Sequence, residues 1–236
     1  MTELLIKKID ELGFAKYPQI VDDKQIENLL ASLSELKTSS TVREKKGATY
    51  GVRNLLNPLP DIRELAKGEK VKNLVEIILG AKAKPVRAIF FDKTPEANWK
   101  VPWHQDLTVA VGEKREIAGF TAWTQKAEIH HVQPPTSVLE KMLAMRIHLD
   151  DADETNGGLK VIPKSHKYGR LSSTQIQNLR EANEAEVCRI KRGEAFLMRP
   201  LVVHSSSAGT NPKHRRVIHI EFSAEMLPDG LEWYGS

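Results

Sequence analysis

The sequence predicts a mainly β fold with added helix: a β-barrel or jelly roll carrying an N-terminal helical layer on one sheet. Three observations predict it. Residues 1–80 carry apolar side chains at helical spacing. From residue 83 onward, short alternating or apolar segments stand between Gly, Pro and Asn turns, the pattern of a sandwich, jelly roll or barrel. The second half lacks the regular strand–helix alternation that a parallel α/β sheet requires. At 236 residues the chain reads as one domain, 1–236, with a helical layer over 1–80 and a β-rich core over 81–236.

The elements follow in order. Leu5, Ile9 and Leu12 share one helical face, with Thr2 as candidate N-cap and Gly13 as the stop. Residues 14–17 form a short strand before Pro18. Asp22 or Asp23 caps a second helix, in which Ile26, Leu29, Leu30 and Leu33 repeat at helical spacing. Residues 37–49 are polar and predict a mobile loop. Val71, Leu74, Val75, Ile78 and Leu79 follow i, i+3, i+4, i+7, i+8, and Gly80 ends that helix. Strands are expected over 86–91, 107–111, 141–149, 159–162, 187–190, 195–198, 201–204 and 215–222. In 141–149 the alternation is clear: Leu143, Met145, Ile147 and Leu149 share one face, Met142, Ala144, Arg146 and His148 the other. Asn156-Gly157-Gly158 is a turn, and 172–186 is a helical insertion.

Composition excludes several classes. Charged residues at 28% and hydrophobic residues at 40% belong to an ordinary globular chain. No apolar run approaches a membrane span. Cys188 is the one cysteine, so an intrachain disulfide framework and a cysteine-rich zinc site are excluded. The first eight residues mix acid and base and do not resemble a signal peptide, so a cytoplasmic address is expected. The net charge of +4 comes with short basic clusters and no nucleic-acid motif, so no nucleic-acid partner is expected. Oligomeric state is not legible.

The chemistry lies in the second half. In Trp103-His104-Gln105-Asp106, a strand would send His104 and Asp106 to the same side. His204 lies 100 residues further on, at the end of an apolar segment. Two imidazoles and one carboxylate on one face of a metal leave the opposite face open. That set suits Fe(II) with a chelating anionic co-substrate and dioxygen. Arg215 follows His204 by eleven residues, after 208–212, which reads as a hairpin. It can take a far carboxylate by a bidentate pair. Arg215, Val217, His219 and Glu221 form the more polar face of their strand, the better candidate for a barrel interior; Arg216, Ile218, Ile220 and Phe222 form the other.

These residues resemble the phytanoyl-CoA dioxygenase family of Fe(II)- and 2-oxoglutarate-dependent oxygenases. The matching pieces are Trp103-His104-Gln105-Asp106-Leu107, the turn from Asp150 to Gly158, Val161 to Lys167, Gly193-Glu194, Met198 to Leu201, His204-Ser205-Ser206 and Arg215. Glu11-Leu12-Gly13-Phe14 fits the family's opening. The resemblance implies a double-stranded β-helix, a jelly-roll form, with iron on His104, Asp106 and His204 and the tail of 2-oxoglutarate on Arg215. It implies oxidative decarboxylation to succinate and carbon dioxide, coupled to hydroxylation of an unactivated C–H bond in a small molecule. Asp106 favours hydroxylation over halogenation, which needs that position vacated. Desaturation, epimerisation and ring formation use the same centre.

One departure is Arg146, where family members often have Trp. It either adds a second contact to 2-oxoglutarate, binds an acidic substrate, or forms a structural pair with a nearby acid. Tyr50-Gly51-Val52-Arg53 can edge the substrate pocket, with Arg53 as the candidate contact. Trp99, Trp103 and Trp123 flank the metal motif; Trp99 and Trp123 are candidate substrate contacts, against core packing. Lys93 has an equal surface reading. His130 and His131 read as surface histidines in a loop, and His166 as structural. The competing functions are a non-catalytic jelly roll that binds a metal or metabolite, and an oxygenase acting on a macromolecule, for which the pI of about 9.0 is the only support.

Overall fold

A computed structural model describes residues 2–36, 42–45 and 48–235. Its helical layer begins with α1 (Thr2–Leu12), β1 (Phe14–Tyr17) and α2 (Asp23–Ser34). Helix α1 starts at Thr2 rather than being capped by it, and ends before Gly13, at φ +90°. A Cβ at Gly13 would meet His166 and Val202 at 2.5 Å. Asp22 caps α2 through a capping box with Gln25, an arrangement worth about 1 kcal/mol.

Part of the expected loop at 37–49 is a hairpin instead. Strands β2 (Val42–Lys45) and β3 (Ala48–Arg53) pair antiparallel. Residues 37–41 and 46–47 lie outside the described residues. Two helices follow, α3 (Pro60–Lys67) and α4 (Glu69–Leu79), the second closing at Gly80 as its spacing predicts.

The β-rich core contains β4 (Lys84–Lys93), β5 (Val101–His104), β6 (Val109–Val111), β7 (Thr121–Lys126), β8 (Ile129–Gln133), α5 (Thr136–Leu139) and β9 (Met142–His148). It continues through β10 (Leu159–Val161), α6 (Ser173–Ala182), β11 (Glu186–Val187), β12 (Ala195–Met198), β13 (His204–Ser206) and β14 (Arg215–Ser223). A seven-stranded sheet runs β1-β12-β9-β14-β4-β3-β2, and a four-stranded sheet runs β11-β10-β13-β5. A third sheet, β6-β8-β7, lies beside them. This is the expected jelly roll with a helical layer on the larger sheet.

The alternation on β9 and β14 decides which face is which. Leu143, Met145, Ile147, Ile218, Ile220 and Phe222 pack with Ile9, Ile26, Ile62 and Leu74 of the helices. The opposite face turns inward. Between the two sheets lies a smaller apolar cluster of Phe14, Leu159, Val161, Phe196 and Met198.

Two further expectations are corrected. Residues 201–203 are a turn, and the strand begins at His204 rather than ending there. Residues 208–212 do not return the chain beside that strand. They carry it from β13 in one sheet to β14 in the other, tied by Asn98 to Gly209 (2.7 and 2.8 Å) and by Thr155 to Asn211 (2.9 Å). Asp106 lies past the end of β5, so its alignment with His104 is not set by strand alternation alone.

Candidate active site

Strands β5 and β13 pair with His104 opposite His204. The two imidazole centroids are 4.2 Å apart. Asp106 is fixed by its backbone N–H, which donates to the Pro200 carbonyl at 2.9 Å. Its carboxylate oxygens stand 3.8 Å from His104 Nε2 and 3.7 Å from His204 Nε2. One ligand atom from each residue falls within 4.8 Å of the others, and this is the metal-capable cluster found among the described residues. His104 Nδ1 faces the carbonyls of Pro102 (2.8 Å) and His204 (3.1 Å), and His204 Nδ1 faces that of Val202 (2.9 Å). Carbonyls only accept, so each Nδ1 carries the proton and each Nε2 keeps its lone pair for a metal.

Gln105, which sequence reasoning left without a role, anchors this motif. It is buried, and its Nε2 donates to the carbonyls of Gly169 and Leu201, both at 2.8 Å. Its Oε1 accepts from Leu171 N–H at 2.8 Å. The middle residue of His-Gln-Asp thus ties the metal-facing pair to two loops. Burial works against the Asp106 carboxylate, but His204, His219, His104 and Arg146 outweigh it and hold its pKa below the usual carboxylate range. Burial likewise lowers His204, against the pull of Asp106.

The triad opens into a cavity of about 310 Å³. Across from it stands the inner face of the large sheet. Register puts Arg215 beside Lys93, Val217 beside Phe91 and His148, His219 beside Ile89 and Arg146, and Glu221 beside Arg87. Arg215 is 3% exposed, and its Nε and Nη1 have no hydrogen-bond partner. Burial and the neighbouring Arg146 lower its pKa to about 9, which leaves it charged at neutral pH. Arg146 is buried with its Nε unpartnered, while its Nη1 meets His219 Nδ1 at 3.1 Å. Among the described residues its side-chain partner is His219 rather than a carboxylate, so the structural ion pair considered from sequence is not seen there. Arg146 also lies 5.8 Å from the Phe91 ring centroid.

Lys93 is not a surface residue. It is 0% exposed and crosses from β4 to the other sheet, where Nζ donates to Ser206 Oγ and to the Ser207 carbonyl, both at 2.6 Å. Burial first, then Arg215 and Arg146, push its pKa down to about 7. Gly157, at φ +77°, makes room for it, because a Cβ there would sit 2.7 Å from Lys93 Nζ.

The remaining candidates divide. Arg53 and Trp99 line the cavity with His104, Asp106, His204, Arg146 and Arg215. Trp123 does not; it sits half-buried on β7 against the cluster of Val109, Leu227 and Trp233. Trp103 is not in the lining either. Gly51 and Val52 edge the cavity, and the Tyr50 side chain lies outside the described residues. His130 and His131 lie on β8 rather than in a loop, and His131 is 0% exposed. Its Nδ1 faces the Ile129 carbonyl at 3.0 Å. His166 is structural in a 3-10 turn, with Nε2 3.2 Å from the Asp10 carbonyl. A wider groove of about 760 Å³ between the helices is remote from the triad. No helix among the described residues is long and apolar enough to cross a membrane.

Comparison with known proteins bears on the fold and the family. The solved structure of AviO1 from Streptomyces viridochromogenes Tue57 is similar over 97% of this chain and 96% of its own, at 21% identity and a TM-score of 0.67. EctD from S. alaskensis, solved with 2-oxoglutarate and 5-hydroxyectoine, is similar over 92% of this chain and 74% of its own, at 18% identity and a TM-score of 0.70. SnoK, a non-heme alpha ketoglutarate dependent carbocyclase from nogalamycin biosynthesis, is similar over 94% and 84%, at 13% identity and a TM-score of 0.70. At these identities the likeness establishes the fold. A search of curated protein sequences returns no match. The sequence model for phytanoyl-CoA dioxygenase matches residues 9–217, most of the described fold and all of the cavity's charged residues except Arg87's partner Glu221 and its neighbour His219. The chain belongs to the phytanoyl-CoA dioxygenase family.

Proposed function

We propose that this protein is an Fe(II)- and 2-oxoglutarate-dependent oxygenase that hydroxylates an unactivated C–H bond of a small molecule. One observation carries the reading: a His-Asp-His cluster and unpartnered, buried guanidinium N–H groups face the same cavity. The donor set fits iron. His104 Nε2, His204 Nε2 and the Asp106 carboxylate would hold the ion, with their Nδ1 protons committed to carbonyls. The guanidiniums fit the co-substrate. Arg215 would take its tail carboxylate, and Arg146, which stands close enough to Asp106 to influence its charge, a second contact nearer the metal.

Bound iron supplies the activation of dioxygen, coupled to decarboxylation of 2-oxoglutarate to succinate and carbon dioxide. The chain supplies position. Arg215 offers a preformed bidentate site whose desolvation was met on folding, so an arriving carboxylate recovers that cost. Lys93 locks Ser206 and Ser207 beside it, holding β13 and His204 in register. Ile89, Phe91, Val101 and Leu159 give the cavity an apolar wall that limits water. Asp106 favours hydroxylation over halogenation. Neighbours of the same fold include a carbocyclase and an epimerase, so the outcome depends on how the substrate is held.

The test is an anaerobic titration of apoprotein with Fe(II) and 2-oxoglutarate, read by the visible charge-transfer band of the chelate. The band should appear in wild type, vanish in His104→Ala and need about 100-fold more 2-oxoglutarate in Arg215→Ala. Absence of a band in wild type sinks the assignment and returns the protein to a non-catalytic binding role.

A further inference from the structure

We infer that His219 and Glu221 are positioning residues for the co-substrate: Glu221, acting through the His219 imidazole, holds the Arg146 guanidinium in the pose that receives 2-oxoglutarate. This rests on the reading of the triad, Arg215 and Arg146 as the iron and co-substrate site.

Register builds the arrangement. On the inner face of the large sheet, His219 of β14 stands opposite Arg146 of β9, and Glu221 stands opposite Arg87 of β4. Directly opposite residues have Cβ atoms about 5 Å apart, close enough for their side chains to meet. His219 and Glu221 are two apart on β14, so they share that face. Three links follow from these neighbours. Arg146 Nη1 meets His219 Nδ1 at 3.1 Å, His219 Nε2 stands 3.4 Å from Glu221 Oε1, and Arg87 Nη1 donates to the same oxygen at 3.1 Å. The β9 residue opposite Glu221 is Ala144, whose methyl group offers nothing to compete for the carboxylate.

Proton placement gives the chain a direction. A guanidinium only donates, so His219 Nδ1 accepts and the ring proton sits on Nε2, toward Glu221. Glu221 therefore favours the tautomer that Arg146 needs. The opposite tautomer would set one N–H against another. A carboxylate that orients an imidazole, which in turn orients a third group, is the arrangement found behind metal-bound histidines. Here the third group is a guanidinium. All four residues are 9% exposed or less, so water competes little for these links.

The need for such a hold lies in Arg146. It is buried, its Nε has no partner, and it lines the cavity with Arg215 and the triad. His219 is the side chain that hydrogen-bonds it among the described residues. An arginine has many rotamers, and a ligand that must freeze them loses affinity. With one nitrogen tied to His219, the guanidinium is held before the anion arrives. Glu221 also lets geometry be separated from charge. It is a carboxylate lining the same cavity, so a purely electrostatic role predicts tighter binding of an anionic co-substrate when it is neutralised. A positioning role predicts weaker binding.

The test titrates 2-oxoglutarate into the Fe(II)-loaded protein without oxygen, read by the charge-transfer band. Arg146→Met should weaken binding about tenfold, and His219→Leu and Glu221→Gln should each weaken it several-fold. His219→Gln, whose amide accepts and donates as the imidazole does, should stay near wild type. In the Arg146→Met background, His219→Leu and Glu221→Gln should have no further effect, because they act through that guanidinium. Unchanged or tighter binding in Glu221→Gln overturns the inference. So does a loss of full size in the Arg146→Met background, or a His219→Gln as impaired as His219→Leu. If His219→Leu loses its cooperative urea transition, Glu221→Gln, alone and combined with Arg146→Met, decides by the same criteria. A wild type without the band, or an Arg215→Ala with unchanged affinity, sinks the co-substrate site itself. A band and an Arg215→Ala loss, with Arg146→Met at wild-type affinity, sink this inference alone.

Discussion

The two faces of the seven-stranded sheet are made by alternate residues of the same strands, and they solve opposite problems. Toward the helices, Ile218, Ile220 and Phe222 bury hydrocarbon against hydrocarbon. Toward the cavity, Arg215 and Glu221 bury charge, with His219 buried between them. The adjacent arginines make the contrast sharp. Arg216, on the helix side of β14, is held by both oxygens of Asp150, with Nε and Nη2 donating at 2.8 and 2.7 Å. Arg215, one residue earlier, is more deeply buried and has two nitrogens with no partner. Proteins keep a buried guanidinium unpaired at a stability cost, so the unpaired one marks where a ligand completes the structure.

Four experiments test that contrast. Phe222→Ala on the apolar face should cost about 3–5 kcal/mol of stability in urea unfolding and leave 2-oxoglutarate affinity unchanged. A large affinity loss there would mean that the faces are not independent. Arg215→Met should do the reverse: about 100-fold weaker 2-oxoglutarate binding, close to 2.7 kcal/mol, with stability equal to wild type or higher. A clear stability loss instead would show that Arg215 is satisfied in the resting protein.

His131, on β8 of the third sheet, tests through pH how far the Arg87 charge of the cavity face reaches. Burial, then Arg87, push its pKa down to about 4 from 6.5. Between those values the unfolded chain binds a proton that the folded protein does not. Stability is thus full above pH 6.5 and falls as pH drops toward 4. Wild type should lose on the order of 2–3 kcal/mol more than His131→Gln across that window. Parallel stability–pH curves would refute the burial argument. The smallest effect is expected for Arg216→Gln. Its ion pair with Asp150 is partly exposed, so its loss should cost about 1 kcal/mol, with 2-oxoglutarate binding intact.

How much was legible follows from how local each signal is. The spacing of Leu5 and Ile9, of Val71, Leu74 and Val75, and the alternation from Leu143 to Ile147 are local patterns, and the helices and β9 appear where those patterns put them. The hairpin β7–β8 was missed because its two-residue turn is Ala127-Glu128, both at positive φ, without the Asn or Gly that normally announces such a turn. His131 was consequently read as exposed. For Lys93 the sequence leaves a surface role as plausible as a buried one, because lysine is rarely buried unless partnered, and its partners, Ser206 and Ser207, lie more than a hundred residues away.

The layer order, the two faces of β9 and β14 and the residue types of a His-Asp-His cluster are legible in local sequence, because side-chain period and donor chemistry are properties of short segments. Long-range packing sets which buried nitrogens stay unpaired, which tryptophan reaches the cavity, and that Gln105, Lys93 and the Arg146–His219–Glu221–Arg87 chain hold the site in shape. Those outcomes depend on which distant strands meet and in what register, and no local pattern encodes the partner that a buried group will find or lack.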